Sequence, residues 1–324
     1  MTSNILNVEN LNVHYEIKPK PVKAVNKVSF NLKEKEILGI CGESGCGKTT
    51  LLRAIGGLIR PPARITQGKI LYKGLDLTKL SEKDFKKIRW RDISYIPQAS
   101  MNSLNPVLKI RDQIFDVITE HHGNIILQKE IIEKSLINEL DKVMLAPETL
   151  DSYPHELSGG MKQRVLVALA MGVHSLRPKI IIADEPTSNL DVTTERYILK
   201  ILREFVQIYG ASVIMVTHNI AAQSQIADRV VIMYAGEIVE IGDVYDIFNK
   251  PLHPYTIALI SATPTMGGVK EMVSLPGIPP DLREPPSGCK FHPRCKFAIE
   301  GKCNIEEPQL AEIESGRFVK CHRI

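Results

Sequence analysis

The sequence has no long apolar run. A helix that crosses a bilayer needs roughly 18 or more consecutive apolar residues, and the best stretch, Val165 to Val173, has nine. A membrane-spanning helix is therefore not expected. The opening Met1-Thr2-Ser3-Asn4 lacks a basic segment followed by an apolar one, so no export signal is read and the protein is expected in the cytosol. A concentrated arm of one charge is missing too. The net charge is +4, and the densest basic cluster (Lys83, Lys86, Lys87, Arg89 and Arg91) is diluted by Glu82, Asp84 and Asp92. With no aromatic residues interleaved, that cluster reads as a solvated face rather than a nucleic-acid groove. No internal repeat or low-complexity segment stands out. What is present, 44% hydrophobic and 24% charged residues, suits a soluble globular chain.

The 324 residues have room for one large α/β domain and a smaller appendage. Ile5 to Tyr15 and Val25 to Leu32 alternate apolar and polar residues, as half-buried strands do. Ile37 to Cys41 and Ile180 to Ala183 are continuous apolar runs, the mark of strands buried on both faces of a parallel sheet. Thr49 to Leu58 and Thr193 to Tyr209 read as helices, Ser212 to Thr217 as a strand, and Val230 to Tyr234 with Glu237 to Ile241 as a hairpin. From about Ser100 to Val173 the pattern is helical, clearest at Ile125 to Leu140 and Val165 to Met171. Beyond Gly242 proline becomes frequent and four of the six cysteines appear, which predicts a C-terminal module poor in long regular elements.

The chemistry begins at Gly42-Glu43-Ser44-Gly45-Cys46-Gly47-Lys48-Thr49, followed by Thr50. This is G-x-x-x-x-G-K-[ST] after a buried strand and at a helix start. Its glycines let backbone N–H groups face a phosphate, and the helix N-terminus adds partial positive charge. Lys48 is expected to neutralise β/γ oxygens and the Thr49 hydroxyl to ligate Mg²⁺. Cys46 has no activating base near it in sequence and is not expected to be a nucleophile. Asp184, ending the Ile180 strand, is the natural partner for the magnesium, and Glu185 the group to polarise an attacking water. Ser158-Gly159-Gly160 opens another helix and makes a second anion cradle. One phosphate loop already fills the pocket, so a second cradle calls for a second, similar molecule.

In this order the motifs resemble the ATP-binding subunit of an ABC transporter, over roughly residues 5 to 245. The resemblance implies a P-loop ABC ATPase core: an α/β fold with a mainly parallel sheet, an antiparallel β subdomain and a helical subdomain (about 99–173), all within residues 1–245. Residues 246–324 would be a small, irregular C-terminal extension. In that family two domains sandwich two ATP molecules head to tail. By position Leu157 to Met161 is then the signature, Asp184 the Walker B aspartate, Glu185 the catalytic base and His218 the switch histidine. Gln98 is the Q-loop glutamine, a ligand for Mg²⁺ or water, and Asp191 belongs to a loop that crosses the dimer interface. Tyr15 aligns with the aromatic that stacks on adenine, although a tyrosine at a strand end is also ordinary packing. A lone histidine such as His218 is otherwise commonly structural.

Ser103-Leu104-Asn105-Pro106, Pro251 to Thr256, Pro276 to Pro280 and Cys289-Lys290-Phe291-His292-Pro293-Arg294-Cys295 resemble the oligopeptide/dipeptide/nickel importer branch. That implies an ATPase subunit on the cytoplasmic face of the membrane. Its partners would be a second, non-identical ATPase, two transmembrane permeases and an extracytoplasmic solute-binding protein, with no nucleic acid. Peptides are the expected solute, with oligosaccharides and nickel open. A soluble, non-transport ABC ATPase, or an ATPase regulated by a redox module, are the rival readings. Cys289, Cys295, Cys303 and Cys321 lie too far apart for the C-x₂-C knuckles of structural zinc. Disulfides are unusual in a reducing cytosol. The resemblance implies a [4Fe–4S] cluster there, which a four-cysteine set suits. Zinc, and free or disulfide-paired cysteines, stay open. His292 and His322 are spare donors that would more simply order the loop.

Overall fold

The computed structural model of the chain describes residues 3–98, 103–122, 129–172, 176–188, 190–217, 219–262, 275 and 277–324. In chain order the first elements are β1 (Asn4–Tyr15), β2 (Val22–Lys33), β3 (Ile37–Cys41), α1 (Lys48–Ile55), β4 (Ala63–Tyr72) and β5 (Leu75–Asp76). Then come α2 (Glu82–Lys86), β6 (Ile93–Ile96), α3 (Ile110–His122), α4 (Lys129–Lys142), α5 (Gly159–Met171), β7 (Ile180–Asp184), α6 (Val192–Tyr209) and β8 (Ser212–Val216). The chain continues through α7 (Ile220–Ile226), β9 (Arg229–Tyr234), β10 (Glu237–Asp243), α8 (Val244–Asn249), α9 (Pro254–Ser261), β11 (Ala311–Glu314) and β12 (Arg317–Val319). These elements fall into two compact units: Met1–Lys33, Leu38–Thr78 and Val216–Ile324 form one, and Glu34–Ile37 with Lys79–Met215 the other.

In the first unit β1 pairs antiparallel with both β2 and β4, giving a sheet of order β2-β1-β4-β5. A second group of strands runs β11-β12-β10-β9-β3, with β3 parallel to β9 and the others antiparallel. Every residue of β3 is buried, as its unbroken apolar run predicts. The hairpin β9–β10 forms where it was expected, turning at Ala235-Gly236. The tail joins this unit's core. Tyr255 and Phe291 pack on Tyr234, with ring centroids 4.6 and 5.2 Å away, among Cys41, Val230, Ile232, Ile247 and Leu259.

Two buried carboxylates of β10 fasten the tail further. Glu240, fully buried, accepts from the N–H groups of Leu252 (3.0 Å) and His253 (2.9 Å) and lies 3.5 Å from the Arg317 guanidinium. Glu237 accepts from the Lys320 ammonium at 2.7 Å. Removing one partner of such a pair leaves a buried charge unmet, which typically costs about 3–5 kcal/mol.

In the second unit β6 lies parallel to β7, Ile96 opposite Ala183, in the order β8-β7-β6. β7 and β8 are buried at every residue. Helices α3, α4 and α5 occupy the stretch with helical periods, and α4 packs against α5. The first seven residues of the apolar run, Val165 to Met171, are the buried end of α5. Helix α6 turns Ile198, Leu199, Leu202, Phe205 and Val206 inward and stops at Gly210, in the left-handed region at φ 66°. Among the described residues no helix is long and apolar enough to cross a membrane.

Candidate active site

In the first unit the phosphate loop follows β3 and opens α1, as its sequence requires. Gly47 stands at the N-cap of α1 with φ 106°, where no side chain caps the helix and no acidic residue lies in the first turn. A helix start of this kind carries partial positive charge that favours an anion. A side chain at Gly47 would put its Cβ 2.0 Å from the Ala24 carbonyl oxygen, and one at Gly42 2.3 Å from that of Met233. Backbone fills the space behind both, so only glycine fits. The Lys48 ammonium donates to the carbonyls of Gly42 (2.7 Å) and Glu43 (2.8 Å) and lies 3.7 Å from the Cys46 sulfur. Cys46 is 4% exposed, and burial raises its thiol pKa against the opposing pull of Lys48, so it is no ready nucleophile. Tyr15 shares a hydrogen bond with Thr50, hydroxyl to hydroxyl, at 3.1 Å.

Glu43 has further partners in the tail of the same unit. Its two carboxylate oxygens accept from the two terminal guanidinium nitrogens of Arg294, at 2.7 and 2.9 Å, and its N–H donates to the Tyr255 hydroxyl at 2.8 Å. Neither Arg294 nor Tyr255 was singled out from the sequence as a site residue. Both sit in short proline-containing segments whose pattern is visible but whose partners are not.

In the second unit, the parallel pairing of β6 and β7 brings Gln98 and the Asp184-Glu185 pair to the same ends of neighbouring strands. Gln98 is exposed. Asp184 is 1% exposed and accepts from the Tyr95 hydroxyl at 3.1 Å. Glu185 has φ 53°, a left-handed conformation that a non-glycine residue adopts at a cost on the order of 1–3 kcal/mol. It ends the strand abruptly, and strain of this sort clusters at functional sites. Ser158 caps α5, its hydroxyl oxygen accepting from the Met161 N–H at 3.2 Å, with Gly159 and Gly160 in the first turn. From the same helix the buried Gln163 amide donates to the Pro186 carbonyl at 2.8 Å, tying α5 to the turn after Glu185. Asp191 caps α6, accepting from the N–H groups of Thr193 and Thr194 at 3.0 Å each. His218 lies outside the described residues.

The four cysteines of the tail form one electrostatic group. Burial pushes the Cys289 thiol up to about 11, and Cys303, Cys321 and Cys295 push it in the same direction. Cys295 and Cys321 are raised likewise, first by burial and then by their fellow thiols. Backbone bonds fold the loop on itself: Cys289 N–H donates to the Cys303 carbonyl at 2.8 Å, and Ile299 N–H points at the Cys303 sulfur at 3.3 Å. All four are free thiols. His292 and His322 each contact a backbone carbonyl, of Cys289 (2.9 Å) and Glu306 (2.8 Å). Among the described residues no three His, Cys, Asp or Glu side chains converge tightly enough to hold a metal ion. A single tetrahedral zinc, with Zn–S bonds of about 2.3 Å, needs such convergence. A four-iron cluster binds its thiolates at separate corners and accepts them farther apart.

Comparison with known proteins bears directly on this arrangement. The family model "ABC transporter" matches residues 25–188, and "Oligopeptide/dipeptide transporter, C-terminal region" matches residues 239–303. The dipeptide transport ATP-binding protein DppD of Caldanaerobacter subterraneus subsp. tengcongensis is 41% identical over 322 residues, 99% of this chain and 97% of that protein. The oligopeptide transport ATP-binding protein AppD of Bacillus subtilis is 38% identical over 98% of this chain and 96% of its own length. Among solved structures, the dimeric bacterial ABC transporter cassette MJ0796 is similar, with a TM-score of 0.66 and 28% identity over 74% of this chain and 98% of that one. The same cassette in a post-hydrolysis state bound to ADP and Pi matches equally well. A phosphate loop with an uncapped helix behind it, a buried aspartate beside a strained glutamate and a serine-capped glycine turn are the parts such cassettes need, and the chain belongs to the ATP-hydrolysing cassettes of ABC transporters, in the group that carries the oligopeptide/dipeptide C-terminal region.

Proposed function

We propose that this chain is the ATP-hydrolysing subunit of an importer for dipeptides and oligopeptides, seated on the cytoplasmic face of the membrane against two permeases. The observation that carries the reading is the pairing of both family models on one chain, the ABC transporter over residues 25–188 and the oligopeptide/dipeptide C-terminal region over 239–303. Lys48 and the loop N–H groups bind the triphosphate. Thr49 and Asp184, with Gln98, would hold Mg²⁺, which supplies charge neutralisation across the β and γ oxygens. Glu185 takes the proton of the attacking water, and His218 is the proposed donor to the γ-phosphate. Ser158, Gly159 and Gly160, with Asp191, serve the ATP of a second cassette, whose own signature covers this chain's Lys48 loop. Tyr15 faces adenine. A non-identical second ATPase and an external solute-binding protein complete the assembly. Residues 1–245 act as the nucleotide-binding domain, with a helical subdomain at about 99–173, and 246–324 as its extension.

Replacing Glu185 with Gln tests the chemistry and the transport together. A general base is worth about 10²–10⁴ in rate. The variant should therefore lose ATP turnover by at least a hundredfold and labelled-dipeptide uptake with it, while still binding ATP. Undiminished uptake would remove both the assigned base and the importer.

For the tail we propose a [4Fe–4S] cluster on Cys289, Cys295, Cys303 and Cys321. The electrostatic coupling of Cys289, Cys295 and Cys321 with their fellow cysteines supports it, because such coupling requires the sulfurs to lie near one another. Anaerobically purified protein should carry about four irons and four sulfides per chain. Stoichiometric zinc, or no metal at all, would refute the cluster.

A further inference from the structure

The phosphate loop is braced from behind by the tail through Glu43. Its carboxylate is held by both terminal nitrogens of Arg294 (2.7 and 2.9 Å), its N–H by the Tyr255 hydroxyl (2.8 Å), and its carbonyl by the Lys48 ammonium (2.8 Å). The Arg294 side chain is 6% exposed and that of Glu43 20%, so little water screens the pair. A two-pronged guanidinium–carboxylate contact fixes direction as well as charge, which a single ammonium does not. Arg294 is itself set by the rings of Tyr234 and Phe291, 5.7 and 6.0 Å from its guanidinium. Tyr255 is fully buried in the same aromatic group.

The loop has need of such bracing. Gly42, Gly45 and Gly47 all have positive φ, and glycine backbone loses the most freedom on being fixed. Glu43 also places a negative charge in a loop built to receive a triphosphate. Unless that charge is met, it opposes the ligand.

We propose that Arg294 and Tyr255 are positioning residues of the nucleotide site, holding Glu43 so that its carbonyl sets Lys48 while its carboxylate is neutralised away from the triphosphate. The C-terminal extension is on this account a working part of the ATP pocket. The inference rests on the reading of Gly42 to Thr49 as an ATP-binding loop and deepens it.

The test is equilibrium binding of fluorescently labelled ATP and ADP to the isolated full-length chain, which needs no permease and no partner ATPase. Arg294→Ala should weaken ATP about tenfold, the scale of one charge-assisted contact, and ADP clearly less, because ADP brings less negative charge to an unmet Glu43. Adding Glu43→Gln to Arg294→Ala should recover part of the loss, since the opposing carboxylate is gone. A merely structural arginine would lower ATP and ADP affinity alike, and the second change would recover nothing; either result overturns the proposal. Should Arg294→Ala fail to fold, Tyr255→Phe keeps the ring and removes only the hydroxyl. A loss of ATP affinity of about threefold at unchanged melting temperature supports the proposal, and unchanged affinity overturns it. Wild-type protein that binds no nucleotide would overturn the ATP-site reading and this inference together; wild-type binding matched by an indifferent Arg294→Ala overturns the inference alone.

Discussion

Two glycine-rich turns open helices in this protein, and they are built in opposite ways. The turn before α1 has no side-chain cap, glycines locked by neighbouring backbone, a lysine folded over it and a buried arginine and tyrosine behind it. The turn before α5 is capped by its own serine, and that serine is exposed. The first is a grip held from behind by neighbouring backbone and by the tail. The second satisfies itself and stands open to solvent. A hydroxyl that accepts a bond from its own helix keeps its proton to donate, so Ser158 can cap α5 and still reach a phosphate presented by another molecule. On the proposed function, the contrast is between a site that binds and a surface that covers.

Ser158→Ala separates the two roles. The largest effect should be on turnover in the assembled ATPase, a loss on the order of a hundredfold, the usual cost of removing one fixed donor to a transition-state oxygen. ATP affinity of the isolated chain should not change, because on this account Ser158 serves the partner's nucleotide. The smallest effect is on stability: losing the helix cap costs about 1 kcal/mol, read as a lower denaturation midpoint. If ATP binding by the isolated chain fell as steeply as turnover, the distinction between grip and cover would be lost.

The sequence made the grip legible because its information is local. An apolar strand, a glycine spacing and a lysine at a helix start lie within a dozen residues, and β3, α1 and β7 formed where those patterns pointed. The brace was not legible, since Arg294 stands 251 residues from Glu43 and nothing beside either names the other. β6 leaves no period in the sequence, since Ile93 to Ile96 are only four residues; its pairing with β7 brings Gln98 and Asp184 to the same ends of neighbouring strands. β4 shows no clean alternation in sequence because Gly68, at φ 93°, interrupts it where β1 carries an irregularity. β11 and β12 are short and carry charged residues, and they are strands only through their pairing with each other and with β10. Glu237 and Glu240 are buried because Lys320, Arg317 and tail N–H groups reach them. In each case tertiary pairing overrides the local pattern.

The central claim is that the triphosphate gripped by this chain is completed by a second cassette. Turnover per chain, measured across a dilution series with the mass of the species followed by analytical ultracentrifugation, tests it most directly. The account predicts that hydrolysis per chain vanishes as the protein becomes monomeric while ATP binding persists. Hydrolysis per chain that stays constant down to the monomer would contradict it.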